Sequence, residues 1–211
     1  ELRADERWVL DEHRADNGMP VLPGTAHLEL IAAACAEAGH SLPLEMTNVA
    51  FHTPVAIGET SARDGRVRFE IGASTRVVLE TAAHGSSSGW QQHSEAGVRP
   101  GTPVTERLDI DAIRSRCTRV EEDPAGIALE QERRLRFGGR WRCLTSIHWG
   151  NQEALGHLIL PTAFVDDTQR HPLHPALLDM ATGFGLPLVE GYASSPNPPL
   201  FVPLSYETVK V

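Results

Sequence analysis

The stretch that decides the fold is WVLDEHRADNGMPVLPG, residues 8–24, together with HPLHPALLD, residues 171–179, which echoes it in the other half of the chain. The first stretch places His13 just before a turn rich in glycine and proline that leads into an apolar helix. The second places Asp179 inside a helix that begins at Pro175, since proline is favoured in the first helical turn. We predict that His13 and Asp179 meet in the folded chain.

Composition limits the class of protein. The chain has 211 residues, of which 41% are hydrophobic, enough for one large domain or two small fused ones. Its longest apolar run, residues 28–36, is interrupted by Glu29 and is far shorter than the roughly 20 residues that span a bilayer, and no signal peptide is recognised. We therefore expect a soluble cytoplasmic protein without a membrane partner. The three scattered cysteines argue against disulfides, and the net charge of -9 argues against a nucleic-acid partner.

Secondary-structure signals divide the chain into two halves of similar design, an α+β arrangement in which a buried helix accompanies an antiparallel sheet. Helices are predicted from Gly24 to about Gly39, over residues 108–117 and from Pro175, and residues 8–12 are expected to be extended. The predicted strands cover residues 47–54, 66–72, 75–82, 90–97, 131–137, 142–149, 153–160 and 201–211. The proline- and glycine-rich residues 99–107 are the predicted linker between subdomains 1–98 and 108–211.

Five motifs in this order resemble the dehydratase domains of modular and iterative polyketide synthases: DEHRADNGMPVLPG, GWQQHSEAGV, FGGRWRCL, HPALLDMA and FVPLSY. The resemblance covers nearly the whole chain. It implies a double hotdog, in which two antiparallel sheets each wrap around a central helix. It also implies elimination of water from a 3-hydroxyacyl thioester carried on the phosphopantetheine of an acyl carrier protein, with His13 as base, Asp179 as acid and no metal or redox cofactor. The parent of such a domain is a multidomain synthase, often a homodimer.

The chain departs from the family pattern near both proposed catalytic residues. Four residues rather than three separate His13 from the following glycine, and a glycine stands where the family has Gln or His four residues after the aspartate. The family's Tyr-Gly-Pro is Phe-Gly-Gly here, and Thr182 is the candidate replacement for the missing group that orients Asp179. The predicted substrate-binding residues are Gly18, Pro23, Gly24, Phe137, Thr182 and Gly183.

The proposed chemistry requires a base and an acid. Histidine suits the base because its ordinary pKa, roughly 6.5, leaves a neutral fraction at cytosolic pH. Asp179 lies among apolar residues and can remain protonated if it is desolvated; the alternative is an aspartate on the solvent face of the helix. Backbone N–H groups near Gly18 and Gly24 are candidate donors to the developing enolate, although Gly18 is equally explained as a turn glycine.

Other patterns leave alternatives open. The arginines at 133, 134, 136, 140 and 142 could attract an acidic carrier protein or form a solvated strand face. Residues 85–89, GSSSG, match a nucleophile motif but are predicted to be a hairpin turn. His171 and His174 are not expected to bind metal, His174 is expected to cap a helix, and His93 is predicted to be a satisfied strand residue. A double-bond isomerase, a pyran-forming cyclase and a degenerate carrier-docking domain remain alternative functions.

Overall fold

Short antiparallel strands and a few helices build the protein, as the sequence pattern predicts. The computed structural model describes residues 1–192 and 199–211. The α-helices are α1 (Trp8–Asp11), α2 (Gly24–Glu37), α3 (Ile110–Arg116) and α4 (Pro175–Gly183). The strands are β1 (Leu2–Arg3), β2 (His13–Ala15), β3 (Val21–Leu22), β4 (Leu44–Phe51), β5 (Val55–Ala56), β6 (Ala62–Ile71), β7 (Thr75–Ala83), β8 (Gln91–Pro100), β9 (Arg119–Glu122), β10 (Leu135–Phe137), β11 (Leu144–Trp149), β12 (Ala154–Leu158) and β13 (Ser205–Lys210).

The larger sheet has the order β1-β6-β7-β8-β4-β13, with antiparallel neighbours throughout. The four strands predicted in the first half are confirmed as β4, β6, β7 and β8. Leu28 and Ile31 of α2 pack with Met46 and Val77 of this sheet in one core cluster. Burial of these apolar side chains holds α2 against the sheet, because the removal of apolar surface from water is the main favourable contribution to folding.

The smaller sheet has the order β12-β11-β9 and packs near α4. Trp141 and Ile147 share a core cluster with Ala176 and Met180 of α4. The strand predicted over residues 131–137 is only partly correct. Glu130–Arg133 forms a 3-10 turn, and only Leu135–Phe137 is extended.

Several contacts join the two halves of the chain. β10 pairs with β2, which sets Phe137 opposite His13. β13 pairs with β4, so the last strand of the predicted second subdomain completes the sheet of the first. The hydroxyl group of Thr25 in α2 donates a hydrogen bond to the carbonyl of Pro175 in α4, over 3.0 Å. The subdomain boundary at residues 99–107 stays a prediction, but the two halves are tied together at all three places.

Two local expectations are changed by packing, and one is confirmed. Residues 8–12 were expected to be extended, and this is wrong: Trp8–Asp11 is one helical turn that fully buries Leu10. The apolar helix α2 was predicted to be buried, yet Ala33 and Ala36 are exposed. Small alanines can face water at little cost, so helical periodicity alone did not separate them from the buried face. The cysteines are free and buried, as predicted.

Arg140 is the centre of an ion-pair cluster between the halves. Its guanidinium group pairs with Glu12 and with Asp167, the latter over 2.7 Å, and its backbone N–H also donates to Glu12. The same guanidinium lies 4.5 Å from the centre of the Trp8 ring and 4.2 Å from that of Phe164. All three charged side chains are at most 16% exposed. Arg140 is therefore neither a carrier-binding residue nor part of a solvated strand face.

Arg140→Ala should lower the free energy of unfolding by about 3 kcal/mol, because it leaves two mostly buried carboxylates without their cation. Urea unfolding followed by circular dichroism measures this change. Arg114→Ala is the matched control, since Arg114 pairs with Asp111 at the surface and is 52% exposed; it should have a far smaller effect. Equal effects of the two substitutions would contradict the structural role of Arg140.

Candidate functional site

His13 begins β2, and the turn that follows fixes its ring. Gly18 adopts φ +85° in this turn, a conformation that favours glycine, and the chain returns so that Val21 lies beside the histidine. The Nδ1 atom of His13 is 2.7 Å from the carbonyl oxygen of Val21. A carbonyl only accepts hydrogen bonds, so Nδ1 carries a proton and Nε2 is left with its lone pair.

Asp179 faces this histidine from α4. His174 caps the helix through Nδ1, which accepts a hydrogen bond from the N–H of Leu177 over 3.4 Å, as predicted. Asp179 is the fifth residue of the helix, beyond the first turn where the helix dipole most favours a negative charge. Its Oδ2 atom is 4.0 Å from Nε2 of His13 and accepts a hydrogen bond of 2.8 Å from the indole N–H of Trp141.

Burial sets the protonation of this pair. Desolvation lowers the pKa of His13 and outweighs the opposing attraction of Asp179. Desolvation also raises the pKa of Asp179, against the pull of His13 and of the Trp141 hydrogen bond. Both shifts favour a neutral imidazole beside a protonated carboxyl group. The pair thus combines a proton acceptor, Nε2, with a proton donor at one place.

A cleft of about 640 Å³ lies against the pair. Its wall is largely apolar and includes Val21, Leu22, Pro23, Phe51, Pro54, Leu135 and Leu200 to Leu204. Gly24, the first residue of α2, also lines it; a Cβ atom there would lie 2.9 Å from Cγ of Pro203. The glycine is needed for this close approach of the 200–204 segment to the helix. The cleft therefore fits a largely apolar chain that ends at His13 and Asp179.

The predicted substrate-binding residues separate into two groups. Pro23 and Gly24 line the cleft, whereas the N–H of Gly18 donates to the carbonyl of Ala15, which removes it as an enolate donor. Phe137 stacks on the His13 ring with 5.5 Å between ring centres, so it packs against the histidine. The hydroxyl group of Thr182 donates to the backbone carbonyls of Leu178 and Asp179, and so does not orient the Asp179 carboxyl group.

Gly183 does not line the cleft among the described residues, but it adjoins a side chain that sequence reasoning missed. A Cβ atom on Gly183 would lie 3.1 Å from the amide nitrogen and oxygen of Gln131, which is a buried wall residue of the cleft. Trp141 was also missed as the donor to Asp179. His27 is a further wall residue; its Nδ1 lies 3.0 Å from the Ser94 hydroxyl, and burial lowers its pKa to about 3.

The other singled-out residues have structural roles. Arg142 pairs with Glu132. Like Arg140, it is therefore assigned to an ion pair within the protein and not to the binding of a carrier protein. Residues 85–89 form the turn between β7 and β8, and His93 is hydrogen-bonded to Thr53 and Thr81, both as predicted. Across residues 1–192 and 199–211, no three His, Cys, Asp or Glu side chains are grouped so that they could hold a metal ion.

No helix within the described ranges is both long enough and apolar enough to cross a membrane.

Comparisons with known proteins give one consistent result. A family model described as "Polyketide synthase dehydratase N-terminal domain" matches residues 106–211, and one described as "Polyketide synthase dehydratase domain" matches residues 1–84. The chain is 24% identical over 186 residues to polyketide synthase PksN of Bacillus subtilis and 28% identical over 194 residues to polyketide synthase ThaG of Burkholderia thailandensis. These matches cover 83% and 85% of this chain but only 3% of each relative.

Solved structures show the same likeness. The dehydratase domain from the CurK module of the curacin polyketide synthase superposes with a TM-score of 0.86 at 20% identity, covering 99% of this chain and 74% of that one. The domain from the CurJ module gives 0.84 at 22% identity, covering 98% and 71%. The predicted double-hotdog fold is thereby confirmed.

Trp141→Phe should raise the pKa of Asp179 further, because it removes the N–H donor that favours the ionised carboxylate. Titration of the Asp179 side-chain carbon by 13C NMR measures this pKa. Trp149→Phe is the matched control, since that indole donates to Glu121 and not to Asp179. An unchanged or lowered pKa in Trp141→Phe would show that the indole does not tune the acid.

Proposed function

The chain belongs to the polyketide synthase dehydratase family, and on that premise we propose that it removes water from a 3-hydroxyacyl thioester carried by an acyl carrier protein. The product is the enoyl thioester. The observation that carries this proposal is the pairing of His13 and Asp179, with Nε2 and Oδ2 4.0 Å apart in the wall of a largely apolar cleft. Burial shifts their pKa values in opposite directions, which favours a neutral imidazole as base and a protonated carboxyl group as acid.

His13 takes the proton from the carbon next to the thioester. Its Nε2 lone pair is available because the Val21 carbonyl holds the proton on Nδ1. The same hydrogen bond stabilises the imidazolium that forms, since the carbonyl dipole faces the positive charge. The N-terminal turn of α2 lies on the wall at Gly24. Since the N–H groups of Ala26 and His27 donate to the carbonyl of Pro23, those of Gly24 and Thr25 are the ones that can face the developing enolate oxygen.

Asp179 gives its proton to the 3-hydroxyl oxygen as the carbon–oxygen bond breaks. The electron pair of the broken C–H bond becomes the new double bond, and the hydroxyl leaves as water. The step ends with a histidinium beside a carboxylate, an ion pair that Trp141 also stabilises through its hydrogen bond to Oδ2. Transfer of one proton from His13 to Asp179 restores the starting state.

Two side chains account for both proton transfers, so we propose no cofactor besides the phosphopantetheine that carries the substrate. Arg134 and Arg136 are exposed, and Arg134 lines the cleft, so this edge is where we place the acidic carrier protein. The curated relatives named above are polyketide synthases. On that basis the remaining proposed partners are other domains of such a synthase and a second copy of the domain.

Purified protein incubated with a tethered 3-hydroxyacyl substrate should release one water per turnover, measured by mass spectrometry of the acyl carrier protein. His13→Ala and Asp179→Asn should each reduce the rate by about 10² to 10⁴. His157→Ala and Asp111→Asn are matched controls away from the cleft and should retain full activity.

The same assay separates the other functions. Double-bond isomerisation would leave the mass unchanged, and a docking domain would neither release water nor exchange the α-hydrogen with deuterated solvent. Absence of water loss across several chain lengths would overturn the proposed elimination.

A further inference from the structure

The cleft contains a polar side chain for which the two proton transfers leave no role. Gln131 lies in the 3-10 turn Glu130–Arg133, is only 8% exposed and lines the cleft together with His13 and Asp179. A glutamine amide offers two N–H donors and one carbonyl acceptor. Across residues 1–192 and 199–211, no hydrogen bond joins its side-chain amide to the protein, and the amide is not among the fully enclosed side-chain atoms that lack a partner, so it is open to the cleft. An amide that faces the cleft without a protein partner is free to bind a polar group of the substrate.

The position of this amide is set by Gly183. On α4, Gly183 is four residues after Asp179, and residues four apart lie next to each other on one helix face. A Cβ atom at Gly183 would lie 3.1 Å from both the nitrogen and the oxygen of the Gln131 amide, closer than side chains usually approach. The glycine therefore leaves the space that the amide occupies, one helical turn from the acid.

We propose that Gln131 binds the 3-hydroxyl group of the substrate and holds its oxygen toward Asp179. The inference rests on the proposed elimination. Asp179 must deliver its proton to a lone pair of the hydroxyl oxygen. If the Gln131 carbonyl accepts the hydroxyl hydrogen, that lone pair is turned toward the neighbouring carboxyl group. Gln131 is then a substrate-binding residue for the leaving group, supplied by a segment outside the helix that carries the acid.

Affinity for two ligands that differ only in the 3-hydroxyl group tests this role. In a His13→Ala background, where loss of the base slows turnover, 3-hydroxybutyryl pantetheine should bind more tightly than butyryl pantetheine. Gln131→Leu keeps a similar side-chain volume and removes the amide. It should reduce the ratio of the two affinities by roughly fivefold to tenfold, which is the effect of one hydrogen bond. The affinity for butyryl pantetheine should not change. Gln169→Leu, at an exposed position, is the control.

Gly183→Ala gives a second route to the same result without changing Gln131. The added methyl group should displace the amide and reduce the hydroxyl preference, whereas in the Gln131→Leu background it should cause no further loss of that preference. An unchanged preference in Gln131→Leu, or an equal loss of affinity for both ligands, would overturn the inference. Failure of the parent protein to release water would instead overturn the proposed function, and the binding comparison would still decide what Gln131 contacts.

Discussion

The site depends on keeping a histidine and an aspartate out of water at the junction of the two halves. Each is supplied by a different half, and each has its pKa displaced by burial in the direction that keeps it neutral. The pairing of β2 with β10, the contact between α2 and α4, and the Arg140 cluster all lie around this junction. A loosening of these contacts would admit water and return both groups to their ordinary titration.

The sequence predicted most of the fold because the relevant signals are local. Proline and glycine mark the starts of α2 and α4, and alternating apolar residues mark β4, β6, β7 and β8. Which strand pairs with which is not a local property. β13 follows α4 in the chain but hydrogen-bonds to β4, more than 150 residues earlier. The single turn of α1 was missed for the same reason, since Trp8 is held by stacking on distant His174.

The sequence predicted the two reacting groups of the site, but not the side chains that surround them. His13 and Asp179 were found through motifs that resemble a family. Trp141 and Gln131 carry no spacing signal, because each reaches the site from a segment 38 to 52 residues before Asp179 or Gly183. Arg140 was misread because a dense run of arginines says nothing about its partners, and Glu12 lies 128 residues away.

The departures at Gly183 and Phe137 look like losses when the sequence is compared with the family pattern. In the folded chain, Phe137 packs on the face of the His13 ring, and the space beside Gly183 is filled by the Gln131 amide. Trp141 already holds one oxygen of Asp179, so the carboxyl group does not require a partner from its own helix. A polar group that is absent from its usual position in the sequence can therefore be supplied to the site by another segment, because the fold brings several segments to the cleft.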